Sequence, residues 1–235
     1  MLVRITEKCN MGCSHCAINA GANGQHMSME IYDKVLEFIE NTEFPLIMIS
    51  GGEPTLHPDF MGILKKAMAK FKTVLLSNGT FLEDPALTKE ILETGVSVQI
   101  TNDDRFYPKK IPMVDHPQLM YETRIRMISP FGRAVINKIP MNRQSPTCFN
   151  LRSICRRFRD FKYSMAQLRG LLKFCTPSIN IDGTIAAGEN NGCTTIGTVT
   201  DNNLVLTNRL CSMTCRRCGL VDNLTPELKE AIGEE

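Results

Sequence analysis

Apolar positions in the first hundred residues switch repeatedly between two periods. Leu2, Val3 and Ile5 mark a short strand over residues 2–6. Ile31, Val35, Leu36, Phe38 and Ile39 then recur at helical spacing, with Ser28 placed as the cap. A buried-type strand follows at residues 45–50. Phe60, Ile63, Leu64 and Met68 mark a second helix, entered through His57-Pro58-Asp59. Residues 73–76 read as a strand, 85–94 as a helix stopped at Gly95, and 96–100 as another strand. The alternation β-α-β-α-β-α-β with short connections predicts a parallel sheet with helices packed outside it.

Beyond residue 105 the pattern loosens. Residues 121–128 fit a fifth strand, and 134–139 fit a sixth strand or a loop. Leu151, Ile154, Phe158 and Leu168 suit a helix over 151–173. Asp182-Gly183 inside residues 178–187 is a hairpin signal. Thr225-Pro226 starts a terminal helix, Thr as cap and Pro at the first position.

Composition narrows the class. The chain has 235 residues, 43% hydrophobic and 22% charged, with a net charge of +2, values of an ordinary folded protein. Its longest apolar run, residues 46–49, is far short of the roughly 20 residues a membrane helix needs. No signal-peptide core follows Met1, so the expected location is the cytoplasm, that of the host if a phage encodes the chain. Ten cysteines then argue for metal or catalysis over disulfides. They fall at 9, 13 and 16, and again from 148 onward, which suggests two thiol sites.

Cys9-x3-Cys13-x2-Cys16 places three thiolates directly after the first strand. A [4Fe–4S] cube takes four ligands, so three would leave one iron open. A zinc site short of one ligand is the plainer alternative. Gly51-Gly52-Glu53-Pro54 follows the second strand and Ser77-Asn78-Gly79 the third, both at carboxyl ends of parallel strands, where barrel folds place active sites.

In this combination, over residues 2–105, the sequence resembles the radical S-adenosylmethionine (SAM) superfamily. The resemblance implies an α/β fold, a partial (β/α)6 TIM-type barrel with a small cysteine-rich C-terminal extension. It implies a [4Fe–4S] cluster on Cys9, Cys13 and Cys16, with SAM on the open iron and an electron donor of flavodoxin or ferredoxin type as partner. Reductive cleavage of SAM then yields a 5′-deoxyadenosyl radical that takes hydrogen from a substrate. His15 falls where the family has an aromatic residue near the adenine. Gly51 and Gly52 would let backbone approach the methionine moiety, Glu53 would meet its ammonium, Ser77 and Asn78 would make polar contacts, and Thr101 and Asn102 would face the ribose.

Cys175-x12-Gly188-x4-Cys193 is similar to the first half of a SPASM or Twitch extension, which holds auxiliary Fe–S clusters. With Cys211, Cys215 and Cys218 it supplies five candidates for one auxiliary cluster, a four-thiolate zinc site being the alternative. Cys148 and Cys155 read as buried apolar thiols. The expected organisation is a core at 1–147, a basic helical connection at 148–174 and the auxiliary region at 175–235.

Residues 152–173 carry seven basic residues and one acidic, with Phe158, Phe161 and Tyr163 interleaved. A solvated helix face is the plain reading. A track for DNA or a nucleotide, with Arg156, Arg157 and Arg159 on phosphates, is the functional one. The expected reaction is therefore radical modification or isomerisation of a nucleobase-linked group, supported by a general likeness to small phage-type enzymes that rearrange amino-acid adducts on DNA thymine. Modification of a peptide or protein side chain is the alternative, and a non-catalytic metal protein binding nucleic acid a third. Only eight residues precede Cys9, which weighs against a leader-peptide domain in front.

Overall fold

The computed structural model describes residues 1–42, 46–125, 128–129, 131–140, 177–186, 188, 194–202, 204–206 and 209. The seven late cysteines, the whole basic segment and the terminal helix lie outside these residues.

β1 (Leu2–Thr6) is buried along its whole length. α1 (Met29–Thr42) follows, its first turn capped by Ser28 Oγ accepting from Ile31 N at 3.2 Å. Tyr32, Val35, Leu36, Phe38 and Ile39 form its inner face, the spacing that the sequence pattern predicts. β2 (Leu46–Gly51), α2 (Phe60–Met68), β3 (Lys72–Ser77), α3 (Pro85–Glu93) and β4 (Ser97–Thr101) complete the alternation. α3 starts where Asp84 Oδ1 accepts from Ala86 N and Leu87 N, with Pro85 at the first helical position. The core lies between strands and helices. Tyr32 is fully buried there, its hydroxyl donating to Ile63 O at 3.0 Å and so tying α1 to α2. Each fully buried aliphatic side chain in this layer contributes about 1.5–3 kcal/mol.

β5 (Leu119–Glu122) pairs with β4 in parallel. The sequence reading placed this strand at 121–128, but it starts two residues earlier and ends at Glu122. The backbone leaves the sheet because Ile125 N donates to Asp103 at 2.8 Å instead of continuing the ladder. Residues 134–139 were expected as strand or loop. Residues 134–136 instead complete α4 (Arg133–Ile136), a single turn entered from Gly132 in the left-handed region, φ 57°, and 137–139 are turn and loop.

The hairpin expected around Asp182-Gly183 is present as β6 (Ser178–Ile179) and β7 (Thr184–Ala186), and β8 (Thr195–Thr198) extends it. The sheet order among the described residues is β5-β4-β3-β2-β1-β6-β7-β8. Strands β1 to β5 are the parallel run of a partial barrel. β6 joins it in parallel beside β1, and β7 and β8 continue antiparallel. Among the described residues, no helix is long and apolar enough to cross a membrane.

Candidate active site

The loop from β1 to α1 folds back on itself. Glu7 N donates to Gln25 O at 2.8 Å, Cys9 N to Gly21 O at 2.9 Å, and Met27 N to Ile5 O at 2.8 Å. This closes a small apolar nest of Cys9, Met11, Cys13 and Ala20 at the carboxyl end of β1. Cys9, Cys13 and Cys16 are all free thiols, the first two buried, and all three line one cavity of about 320 Å³. Burial raises the Cys9 thiol and pushes Cys13 up to about 12, the neighbouring thiols adding to both and the Arg133 guanidinium opposing at Cys13. Ligation needs the thiolate form, so loading this loop releases protons.

Gly51 and Gly52 line the same cavity, but the protein itself demands glycine there. Gly52 N donates to Thr6 O at 2.7 Å and Glu53 N to Lys8 O at 2.8 Å, stitching the turn to the cysteine loop. A Cβ on Gly51 would stand 2.4 Å from Thr6 O, and one on Gly52 2.3 Å from Lys8 O. The close approach is backbone to backbone, a requirement that stands beside any approach of a ligand from the cavity.

The Glu53 side chain is fully buried and bonded toward the end of β3. Oε1 accepts from Ser77 Oγ at 2.9 Å and Thr55 Oγ1 at 2.8 Å, and Oε2 accepts from Asn78 N at 2.8 Å. Burial raises its carboxyl above the ordinary range while these donors pull it down. Ser77 and Asn78 do line the cavity. Asn78 Nδ2 donates to Asn10 Oδ1 at 3.0 Å and reaches Cys9 Sγ at 3.9 Å.

β4 separates the two residues assigned to the ribose. Thr101 lines the cavity, whereas Asn102 lines a neighbouring hollow and donates to Lys109 O at 3.1 Å. Asn102 is the first residue past β4. His15 lies in the cavity wall against Phe106 and Tyr107, ring centroids 4.9 and 5.4 Å away. Burial lowers its pKa, so the ring is neutral at neutral pH. Its Nδ1 is buried without a partner among the described residues.

Sequence reasoning missed Arg4, Tyr107 and Arg133, which share this cavity. Arg4 is a buried charge inside β1 that donates to Asn180 Oδ1, and a charge in an otherwise apolar strand was the available signal. Arg133 and Tyr107 come from elements with no motif of their own.

The fit to a cluster follows from this donor set. Cys9, Cys13 and Cys16 are three free thiols on one cavity, a donor set that suits a cube with one iron left open.

A family model described as "Radical SAM superfamily" matches residues 3–130. The chain belongs to the radical SAM superfamily. Membership implies a [4Fe–4S] cluster and SAM as cofactors. Among curated relatives, the antilisterial bacteriocin subtilosin biosynthesis protein AlbA of Bacillus subtilis is 29% identical over 109 residues, 43% of this chain and 24% of that protein. The curated relatives compared are matched over 20–40% of their own lengths. Two solved structures share the fold. BtrN in complex with AdoMet and 2-DOIA superposes with a TM-score of 0.59 at 14% identity, covering 90% of this chain and 83% of that one. AnSMEcpe with bound AdoMet and the Cp18Cys peptide gives 0.51 at 14% identity, covering 98% and 94%.

Proposed function

We propose that this radical SAM enzyme modifies a peptide or protein side chain. The observation that carries its chemistry is the single cavity at the carboxyl ends of β1 to β4, where Cys9, Cys13 and Cys16 stand beside the Gly51-Gly52 turn. In this reading the three thiolates hold the cluster, and His15, Ser77, Asn78 and Thr101 bound the space for SAM. When bound, cluster and SAM supply a 5′-deoxyadenosyl radical that abstracts hydrogen from the substrate. The chain's own part is to orient SAM and to keep water from the reacting centre. The Asn78 amide and Thr101 hydroxyl give polar contacts, while Met11, Ile18 and Tyr107 keep the wall apolar.

For the substrate, the support is the likeness to a bacteriocin biosynthesis protein and to an enzyme crystallised with a peptide. BtrN, crystallised with 2-DOIA, shows that the fold accommodates other molecules. The nucleobase reading draws on the basic segment and a general likeness to small phage-type enzymes, and the relatives compared add nothing to it. One auxiliary Fe–S cluster on Cys175, Cys193 and two of Cys211, Cys215 and Cys218 belongs to the same proposal.

The test is 5′-deoxyadenosine formation by anaerobically reconstituted protein with dithionite. Peptide pools should stimulate it, and DNA, RNA and nucleotides should not. Replacing Cys9, Cys13 and Cys16 together by Ala should abolish it and remove one cube's worth of iron and sulfide. Retained cleavage in that triple variant would refute the cluster assignment, and stimulation by nucleic acid alone would refute the peptide reading.

A further inference from the structure

Arg133 is held against the cysteine loop from a distant part of the chain. Its backbone N donates to Cys16 O at 2.9 Å and its Nε to Cys13 O at 2.7 Å. One Nη donates to Ala20 O at 2.8 Å and to Asn19 Oδ1 at 3.1 Å. Four residues on, Asn137 Nδ2 donates to Ser14 O at 2.8 Å. The approach is so close that a Cβ on the preceding Gly132 would stand 2.3 Å from Cys16 O. Both buried carbonyls that the guanidinium meets belong to the segment carrying Cys13 and Cys16, and its planar fork spans them at once. The side chain also lines the thiol cavity, and among the described residues no carboxylate pairs with it.

From this placement we propose that Arg133 is a positioning residue with two roles: its fork fixes the path of residues 13–20, and its unneutralised charge raises the reduction potential of the cluster held there. The proposal rests on the assignment of Cys9, Cys13 and Cys16 as ligands. Between Cys13 and Ala20 the loop's own backbone bonds are long, Cys16 N to Cys13 O at 3.3 Å and Asn19 N to Cys16 O at 3.4 Å. External donors therefore set its shape. A cation near an Fe–S cluster stabilises the reduced, more negative form, one of the means by which proteins set cluster potentials.

Two measurements on wild type, R133Q and R133K test this. Hydrogen exchange on the cluster-free proteins should show amides of residues 14–20 exchanging about tenfold faster or more in both variants, since each loses hydrogen bonds from a charged fork. Protection of β1 to β4 should be unchanged. Redox titration of the reconstituted proteins, followed by the spectroscopic signal of the reduced cluster, should place R133Q at a more negative potential than wild type. R133K keeps the charge and should stay near wild type. Wild-type exchange in R133Q overturns the clamp, and a wild-type potential in R133Q overturns the electrostatic role. A variant that takes up no iron still reports through exchange. Should the Cys9, Cys13 and Cys16 triple variant keep every cluster signal, the ligand assignment fails instead, a result distinguishable from either outcome at Arg133.

Discussion

Glu53 and Asn78 are joined by a 2.8 Å hydrogen bond from the Asn78 backbone to Oε2, which ties the turn after β2 to the turn after β3. Two of the recognisable motifs of this site are thereby a single unit.

Glu53→Gln should therefore act on stability first. An amide group in that pocket turns a donor toward donors from Thr55, Ser77 or Asn78, and a buried unpaired group costs about 1–3 kcal/mol. The melting temperature should fall by about 2–4 °C per kcal/mol for a chain of this size. A variant with unchanged melting and weakened SAM binding would return the carboxylate to the ligand's ammonium.

Asp103 gives a pH prediction. Its side chain has no exposed surface, while Arg105, which bonds it most strongly, is 46% exposed. The hydrogen bonds from Arg105 hold its carboxyl well below the usual range. A depressed pKa means that stabilisation is present above the unfolded value, near 3.9, and is lost as pH falls below it. Asp103→Asn should cost about 1–2 kcal/mol near neutral pH, since the arginines left behind stay solvated, and the gap should narrow between about pH 5 and pH 2. Urea unfolding across that range reads it. A gap independent of pH would mean that the anion is not what matters.

Cys175→Ala with Cys193→Ala should lower iron content while leaving SAM cleavage uncoupled from substrate. Metal binding is also folding free energy, so the segment from residue 175 onward should lose protection in hydrogen exchange. Stoichiometric zinc with a single cube, in protein purified anaerobically, would favour the zinc alternative.

Neutralising Arg156, Arg157 and Arg159 together addresses the nucleic-acid reading. If those side chains touch phosphates, the salt slope of DNA or RNA binding should flatten by about two to three. On the peptide reading there is no salt-sensitive binding to flatten, and filter binding at low salt separates the two.

The parallel run was legible because its apolar residues repeat at clean periods, and Ile31 to Ile39 and Phe60 to Met68 fell on helices as spaced. Cys9, Cys13 and Cys16 were legible as a local spacing, and the structure places them in one cavity. Side-chain direction was harder. Thr101 ends β4 and Asn102 begins the loop after it, so the two line different hollows. Glu53 is implied for the ligand's ammonium by analogy, and its bonds to Thr55, Ser77 and Asn78 are a tertiary arrangement that no local spacing marks. Arg133 could not have been found by pattern, because its partners lie 113–120 residues away.

β1 has consequences for anyone cutting the chain. It is buried from Leu2 to Thr6, flanked by β2 on one side and by β6 on the other, some 176 residues later. A piece stopping after the family-matched segment would bare the β6 side of that strand, an apolar edge with unpaired N–H and C=O groups and a template for aggregation. The hairpin made last is therefore the selvedge of the barrel, and truncation designs should keep it.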